Sequence, residues 1–163
     1  MSRQSSKAGL LNDVTTAAER YVVRTATTGT TVLLTPEDHA DRVFILDTIL
    51  TVSTLNFKLP AASGSGDVYT FVNNAVQTFG FIVSLNIATD YLTGVALMIE
   101  AVGGTDDVVF YTTATSDKVT FNATTTGGLR GDKVVAIDYK AGYYLVEVTA
   151  FPSGDVVTPF SAT

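Results

Sequence analysis

Short runs of apolar residues, each followed by a cluster of Gly, Pro, Asn or Asp, recur along most of the chain. Many runs are rich in Val, Ile, Thr, Tyr and Phe, and several alternate apolar with polar positions. Such enrichment with a period of two is typical of strands that bury one face. The pattern predicts one all-β domain of about nine to eleven short strands, arranged as an antiparallel β-sandwich or jelly-roll-like fold.

The segment around Pro60 shows this design most clearly. An apolar run ends at Leu59, and residues 63–66 then read Ser-Gly-Ser-Gly before residues 67–72 resume a β pattern. Glycine supplies the positive φ angles that a tight connection needs, and serine is a frequent turn residue. The segment predicts a strand, a turn and a second strand.

Other connections follow the same logic. Residues 21–25 and 30–34 predict two strands joined as a hairpin by a turn at Thr28 and Gly29, and a second hairpin is expected to turn at residues 140–142. Pro36, followed by Glu37 and Asp38, is typical of the first turn of a helix, so one helical turn is expected there. Residues 144–148 are apolar on both faces except for Glu147, which we interpret as a strand deep in a sandwich.

Residues 1–18 differ from residues 19–163, which form the predicted β domain. The segment begins polar and mildly basic and then places Leu10, Leu11, Val14, Ala17 and Ala18 at spacings that a short amphipathic helix uses. An isolated helix of this length is marginal in water. We therefore expect a short helix or an arm that becomes ordered against the body or a neighbouring subunit, and a frayed terminus is the remaining alternative.

Composition narrows the possible partners. Ten basic against sixteen acidic residues give a net charge of −6, and 46% of the residues are hydrophobic while only 16% are charged. An acidic surface repels a phosphate backbone, so we expect no nucleic-acid partner. Low charge density also suits a chain that a protein neighbour covers in part, and a soluble acidic monomer is compatible with it as well. We expect no membrane partner, because no apolar run approaches the roughly 20 residues of a membrane helix, and we expect synthesis in a cytoplasm because no signal peptide is recognised.

His39 is the only histidine and lies between Asp38 and Asp41. A Ser-His-Asp triad would depend on it, but the Gly-Ser-Gly sequence of residues 64–66 lacks the G-x-S-x-G frame of a nucleophile elbow. We interpret His39 as a solvated loop residue. The same Gly-Ser-Gly sequence is not a phosphate loop either, since neither G-x-G-x-x-G nor G-K-[ST] is present.

Four aspartates are candidates for a Ca²⁺ site or for the carboxylate pair of a glycosidase, namely Asp106, Asp107, Asp132 and Asp138. Their spacing matches no known frame, and aspartate beside glycine is ordinary turn chemistry, so we favour turn roles. No catalytic residue, metal ligand or cofactor is assigned.

Six tyrosines could together form a sugar-stacking platform: Tyr69, Tyr91, Tyr111, Tyr139, Tyr143 and Tyr144. The chain has no tryptophan, and tyrosines within strands more often pack in a core or on a sheet. A carbohydrate-binding module is therefore the less favoured interpretation.

Four motifs in order carry a resemblance over residues 55–163. They are Leu-Pro-Ala-Ala-Ser-Gly-Ser-Gly (59–66) before a Val-Tyr-Thr-Phe-Val strand, Gly-Gly-Leu-Arg-Gly-Asp (127–132), Lys-Ala-Gly (140–142) before an aromatic residue, and Thr-Pro-Phe-Ser (158–161). In this order they resemble small structural proteins of tailed bacteriophages, most closely the capsid decoration or cement proteins.

The resemblance implies a β-sandwich or jelly-roll-like subunit that clusters, often as a trimer, on the outside of the capsid and contacts the major capsid protein. It implies a non-enzymatic structural protein of the virion, made in the host cytoplasm. A tail-fibre or receptor-binding module of a phage remains the alternative, and a polysaccharide-degrading enzyme is the weakest candidate because no acid/base set is identifiable.

Overall fold

The computed structural model describes residues 14–17, 20–23, 31–47, 54–101 and 107–162. Half of the structure is strand and 3% is helix, so the all-β prediction is confirmed. The elements in chain order are β1 (Val14–Ala17), β2 (Arg20–Val23), β3 (Thr31–Leu33), α1 (Pro36–His39), β4 (Arg42–Leu46), β5 (Leu55–Leu59), β6 (Val68–Asn73), β7 (Phe81–Leu85), β8 (Tyr91–Met98), β9 (Val108–Tyr111), β10 (Lys118–Phe121), β11 (Lys133–Lys140), β12 (Tyr143–Ala150) and β13 (Phe160–Ser161).

The strands form two sheets. The larger has eight strands in the order β1-β2-β4-β6-β11-β12-β8-β9, and the smaller has five in the order β13-β10-β7-β5-β3. One hydrophobic core lies between them and draws on both. At its centre the ring of Phe57 on β5 lies 5.6 Å from that of Phe44 on β4 and 4.9 Å from that of Phe71 on β6. The two layers are therefore one sandwich with a shared core.

The chain alternates between layers from β3 to β7. Odd-numbered strands of this stretch lie in the five-stranded sheet, and β4 and β6 lie in the eight-stranded sheet. Each of the strands β4 to β7 therefore lies next to the strand that precedes it by two in the chain. The two strands of each such pair belong to the same sheet and run in the same direction. The pairs β2/β4, β3/β5, β4/β6 and β5/β7 are accordingly parallel. The pair β8/β12 is also parallel, although three strands separate its members along the chain.

This topology corrects the expected antiparallel arrangement, because the sheets are mixed. Parallel neighbours need a crossover connection, and here a strand of the opposite layer serves as the crossover. A jelly-roll arrangement is not confirmed. The described residues also hold thirteen strands, more than the predicted nine to eleven, since very short strands such as β13 give little periodic signal.

The predicted hairpin between residues 21–25 and 30–34 is wrong. β2 pairs with β1 and β4 in the larger sheet, whereas β3 pairs with β5 in the smaller one. Both segments are strands, but alternation of polar and apolar residues does not encode which layer a strand joins. The second hairpin is confirmed: β11 and β12 pair antiparallel, with a register shift between Asp138 and Lys140.

The strand–turn–strand prediction around Pro60 is confirmed, and its turn connects the two layers, from β5 to β6. The helical turn at Pro36 is also confirmed as α1, with proline in its first turn. In the N-terminal segment Val14–Ala17 is a strand, so the helical alternative is wrong for these four residues, two of which are β-branched threonines. Residues 1–13 and 18 lie outside the described residues, and the arm remains a prediction.

Candidate interaction surface

Asp138 holds the Ser-Gly-Ser-Gly loop against the sheet. Its Oδ2 accepts hydrogen bonds from the backbone N–H of Ser63 (3.0 Å), from Ser63 Oγ (2.8 Å) and from Ser65 Oγ (3.0 Å), and its Oδ1 accepts one from Gly64 N–H (2.6 Å). Asp138 lies within β11 and is buried, so it is not the turn residue that we expected. The loop surrounds a carboxylate of its own chain, and its donors thereby stabilise the connection between the two layers.

The pKa of Asp138 reflects this arrangement. Burial raises the pKa, but the backbone donors of Ser63 and Gly64 and the two serine hydroxyls outweigh burial and hold it below its ordinary value. The carboxylate is therefore ionised at neutral pH. Its role is structural, because each oxygen already accepts from the loop.

Asp132 has a comparable role at the other end of β11. It is fully buried, and its carboxylate accepts from the backbone N–H of Gly128 and, at 2.8 Å, from that of Phe151. Burial raises its pKa to about 6, against the lowering effect of the Phe151, Gly128 and Leu129 backbone donors. The turn role predicted for Asp132 is confirmed, since the residue closes the loop before β11.

The aspartates do not form a shared site. Asp132 and Asp138 stand at opposite ends of an extended strand, on the order of 20 Å apart at about 3.3 Å per residue, which exceeds the separation of glycosidase carboxylates. Asp107 is exposed and Asp106 lies outside the described residues. The described part of the chain contains no group of three or more His, Cys, Asp or Glu side chains placed to hold a metal ion.

His39 is buried, at 7% exposure, and the expectation of a solvated loop histidine is wrong. Its ring stacks on Phe44 at 6.0 Å between centroids, and its Nδ1 accepts from the backbone N–H of Thr35 at 3.0 Å. Burial lowers its pKa, and this effect outweighs the opposing effects of the Thr35 backbone and of Asp38. The single turn of α1 carries the ring onto the core edge, so the histidine serves packing.

The six tyrosines do not form one platform, because strand alternation sends them to opposite sides of the sheet. Tyr69 and Tyr144 are buried against each other, with ring centroids 6.3 Å apart. Tyr91 and Tyr143 form a partly exposed pair at 5.9 Å, and Lys140 Nζ lies 4.8 Å from the Tyr143 ring centroid. Tyr111 and Tyr139 are exposed.

The outward side of the eight-stranded sheet is unusually apolar. We call the outward-pointing positions on β4, β6, β11, β12, β8 and β9 the outer face. Its aliphatic members are Val43, Ile45, Val68, Val72, Val95, Leu97, Val109, Val135, Ile137 and Leu145. Each is only partly buried or exposed, and Val95, Leu97 and Val109 reach 37%, 40% and 47% exposure. Soluble monomers rarely leave so large a continuous apolar surface in water.

Strand register makes this surface continuous. One row of paired positions crosses six strands as Val43, Thr70, Val135, Glu147, Val95 and Tyr111. The next crosses as Ile45, Val72, Lys133, Thr149, Leu97 and Val109. Over these six strands the two rows carry one charge of each sign, Lys133 and Glu147, and Arg20 of β2 pairs with Val43 and extends the first row by a further basic residue.

The other side of the sandwich offers a comparison within the same molecule. Outward positions of the five-stranded sheet include the polar residues Asn56, Lys58, Ser84, Lys118 and Thr120, and the Ser84 hydroxyl donates to Asn56 Oδ1 at 2.9 Å. Ile82 and the exposed Leu33 are apolar members of the same side. This surface is mostly polar, as expected for a sheet that faces water. Apolar outward positions are therefore concentrated on the eight-stranded sheet.

Sequence reasoning missed the outer face, although a signal was present. Residues 144–148 are apolar on both faces, and this pattern was interpreted as burial on both sides. In the structure Tyr144, Val146 and Val148 are buried, whereas Leu145 is only partly buried and Glu147 is exposed. A strand that is apolar on both faces can therefore lie at the surface of a sandwich, with only one face in the core.

Comparisons with protein-family models, with curated proteins and with solved structures give no match. Within the described residues, no helix has the length and apolar character needed to cross a membrane. What the protein does is therefore inferred from its own residues and surfaces.

Proposed function

We propose that the protein is a structural component of a phage virion, a decoration or cement protein that self-associates on the outside of the shell and stabilises it without chemistry. The outer face of the eight-stranded sheet is the observation that carries this proposal. A surface of this size and apolar character favours burial against protein, at about 25 cal/mol per Å² of apolar area before the costs of association. The order of turn motifs over residues 55–163 supports the same class of protein.

Charge supports a position away from the genome. The net charge of −6 disfavours contact with packaged DNA, which is consistent with the exterior of the capsid and with the major capsid protein as partner. The residues considered as candidates for a catalytic or metal site have structural roles. Asp138 and Asp132 hold loops in place, and His39 packs on Phe44.

A cement protein acts by binding one state better than another. Contacts made many times over a symmetric shell combine through avidity, so each contact can be weak. If the protein binds the assembled lattice more tightly than free subunits, it shifts the equilibrium toward the intact particle. The shell should then resist the internal pressure of its DNA at higher temperature.

The test compares particles that lack the protein with particles to which it has been added back. Particles carrying the wild-type protein should release DNA at a higher temperature than depleted particles, measured by a dye that fluoresces on DNA. Addition of the outer-face variant Leu97→Lys should give less protection than the matched polar-face variant Thr120→Lys. Equal heat stability with and without the protein would exclude the cement role, as would its location in the tail by electron microscopy.

A carbohydrate- or receptor-binding module of a tail fibre is the second candidate, and one observation favours it. Tyr91 and Tyr143 present two partly exposed rings beside Lys140, and aromatic faces stack on sugar rings. A glycan array is the test: micromolar binding that is lost in Tyr143→Ala and kept in Tyr111→Ala would support this candidate. Absence of binding to every glycan would remove it.

A further inference from the structure

We infer that the outer face is a self-association surface on which a second copy of this chain packs its own outer face about a two-fold axis. This inference rests on the outer face itself and goes beyond the proposed function, because it holds for the free protein with or without a role in a virion. The supporting observations are the size of the face, its charge pattern and its contrast with the other sheet.

The size of the face is comparable to what a stable pair of proteins needs. Six strands about 4.8 Å apart, with outward residues spread over about 20 Å of strand length, span on the order of 600 Å². A standard protein–protein interface takes about 800 Å² from each partner. Two sheets packed face to face about 10 Å apart would bury most of this area, as the two layers within each copy already do.

Charge favours a second copy over an acidic or basic partner. The chain as a whole carries −6, so two copies repel each other at most surfaces. The two central rows of the outer face instead carry one lysine and one glutamate and are neutral. Strand pairing places Val135 beside Glu147 and Lys133 beside Thr149, so the two charges stand diagonally on β11 and β12.

The diagonal placement is self-complementary. A two-fold axis that lies between the paired faces and passes between Lys133 and Glu147 brings each Lys133 toward the Glu147 of the other copy. Both ion pairs form at once, as in any isologous contact. Val135, Val95 and Leu97 lie beside these charges and would be covered by the same pairing. A pairing of this kind gives a dimer, which differs from the trimer that the resemblance implies.

The first experiment measures association by sedimentation equilibrium of the full chain from about 1 to 100 µM, a range that reports on micromolar dissociation constants. The wild type should form a dimer. Leu97→Lys, which introduces a charge at an exposed position, should raise the dissociation constant at least about 100-fold. Thr120→Lys on the polar sheet should leave the constant within about 2-fold of wild type.

The second experiment tests the two-fold geometry by charge exchange. Lys133→Glu and Glu147→Lys should each raise the dissociation constant about 10-fold, because each places like charges together, and the double variant should return to within about 3-fold of wild type. Urea midpoints close to that of the wild type should show that every variant is folded.

A monomer at every concentration would overturn the inference and leave the face to another occupant, such as residues 1–13 of the same chain or a shell subunit. A trimer in solution would overturn the two-fold pairing. A dimer that Leu97→Lys does not weaken would assign self-association to a different surface. If the double variant with Lys133→Glu and Glu147→Lys dimerised no better than the single variants, the two-fold axis between these residues would be excluded. Particle heat stability is measured separately, so failure of this inference and failure of the cement role are distinguishable.

Discussion

Two buried aspartates at the two ends of β11 hold loops in the same way but respond to pH in opposite directions. Asp138 has a lowered pKa because its loop donors outweigh burial. Asp132 has a pKa raised to about 6 because burial outweighs its backbone donors. The difference lies in burial, which is deeper for Asp132, and in the donors: Asp138 also accepts from two serine hydroxyls, whereas the donors to Asp132 are backbone N–H groups.

Replacement of Asp138 by Asn should destabilise the protein. The change removes the charge from an acceptor of four hydrogen bonds and turns one oxygen into a donor that faces other donors. We expect a loss of about 2 to 4 kcal/mol in the free energy of unfolding, measured by urea denaturation at pH 7. The exposed Asp155→Asn is the matched control and should change this energy by less than about 0.5 kcal/mol. If both variants lowered the free energy of unfolding equally, the hydrogen bonds from residues 63–65 to Asp138 would not have the stabilising role described above.

The contribution of Asp138 should also depend on pH with a defined sign. Its folded-state pKa lies below the ordinary value of 3.8, so its contribution is complete above that value and is lost as the pH falls through the lower folded-state pKa. The difference in unfolding free energy between the wild type and Asp138→Asn should therefore be constant from pH 5 to pH 8 and shrink in more acidic solution.

Asp132 should show the opposite dependence. Its folded-state pKa of about 6 exceeds the ordinary 3.8, so the folded protein retains a proton that the unfolded chain has released. The stability that Asp132 contributes is complete below pH 3.8 and is lost as the pH rises through about 6. The difference between these two pKa values corresponds to a loss of about 3 kcal/mol in the free energy of unfolding. The measurement is urea unfolding of the wild type and Asp132→Asn at several pH values. A difference between them that does not change from pH 4 to pH 8 would show that Asp132 does not titrate in this range.

At the scale of single elements, the parallel pair β8/β12 depends on a glycine. Gly94 is paired with Val146, and a Cβ at position 94 would lie 1.8 Å from the Val146 carbonyl oxygen. Thr112 Oγ1 also accepts from Gly94 N–H at 3.0 Å. A side chain at this position would therefore push two neighbouring strands apart.

Gly94→Ala should cost at least about 3 kcal/mol of unfolding free energy, because backbone must move to relieve the overlap. Gly154→Ala is the control, because the new Cβ would lie 3.9 Å from Thr125 Cγ2, an ordinary contact. Thermal unfolding followed by circular dichroism measures both. If the two alanine variants melted at the same temperature, the close approach of β8 and β12 would be refuted.

The sequence predicted strands well and their partners poorly, for a physical reason. Alternation and turn residues are local, so the strands around Pro60, the helical turn at Pro36 and the β11/β12 hairpin could all be predicted. Layer membership depends on contacts with distant segments, and β2 and β3 were therefore joined wrongly. The role of Asp138 was missed for the same reason, since Ser63 and Asp138 are separated by 75 positions.

At the scale of the whole molecule, stability should be distributed unevenly across the larger sheet. β11 and β12 each pair with a strand on both sides, whereas β9 pairs only with β8 and forms an edge. Amides of β11 and β12 should exchange hydrogen only through global opening, and those of β9 at least about 100-fold faster through local fraying. Hydrogen exchange with mass spectrometry of peptides from both regions measures this, and equal protection of β9 and β12 would contradict the expectation.

The outer face and the polar face give the molecule two different sides. One layer presents mainly aliphatic residues, with Lys133 and Glu147 as the charges of its two central rows, and the other presents mainly lysines, serine, asparagine and threonine. A protein that must adhere on one side and remain soluble on the other has this form. The asymmetry is the common basis of the proposed cement role and of the inferred two-fold pairing.

The alternation of strands between layers also governs how the protein is made. β6 takes its antiparallel partner β11 and β8 its parallel partner β12 from the C-terminal third of the chain. As the chain leaves the ribosome, the strands of its first half therefore emerge without their central neighbours, and such long-range pairing is slow to form. The β11/β12 hairpin is local and can form as soon as it emerges. The segment that completes the larger sheet is thus made after the strands that it joins, and a nascent chain stopped before residue 133 would leave β6 and β8 without these partners.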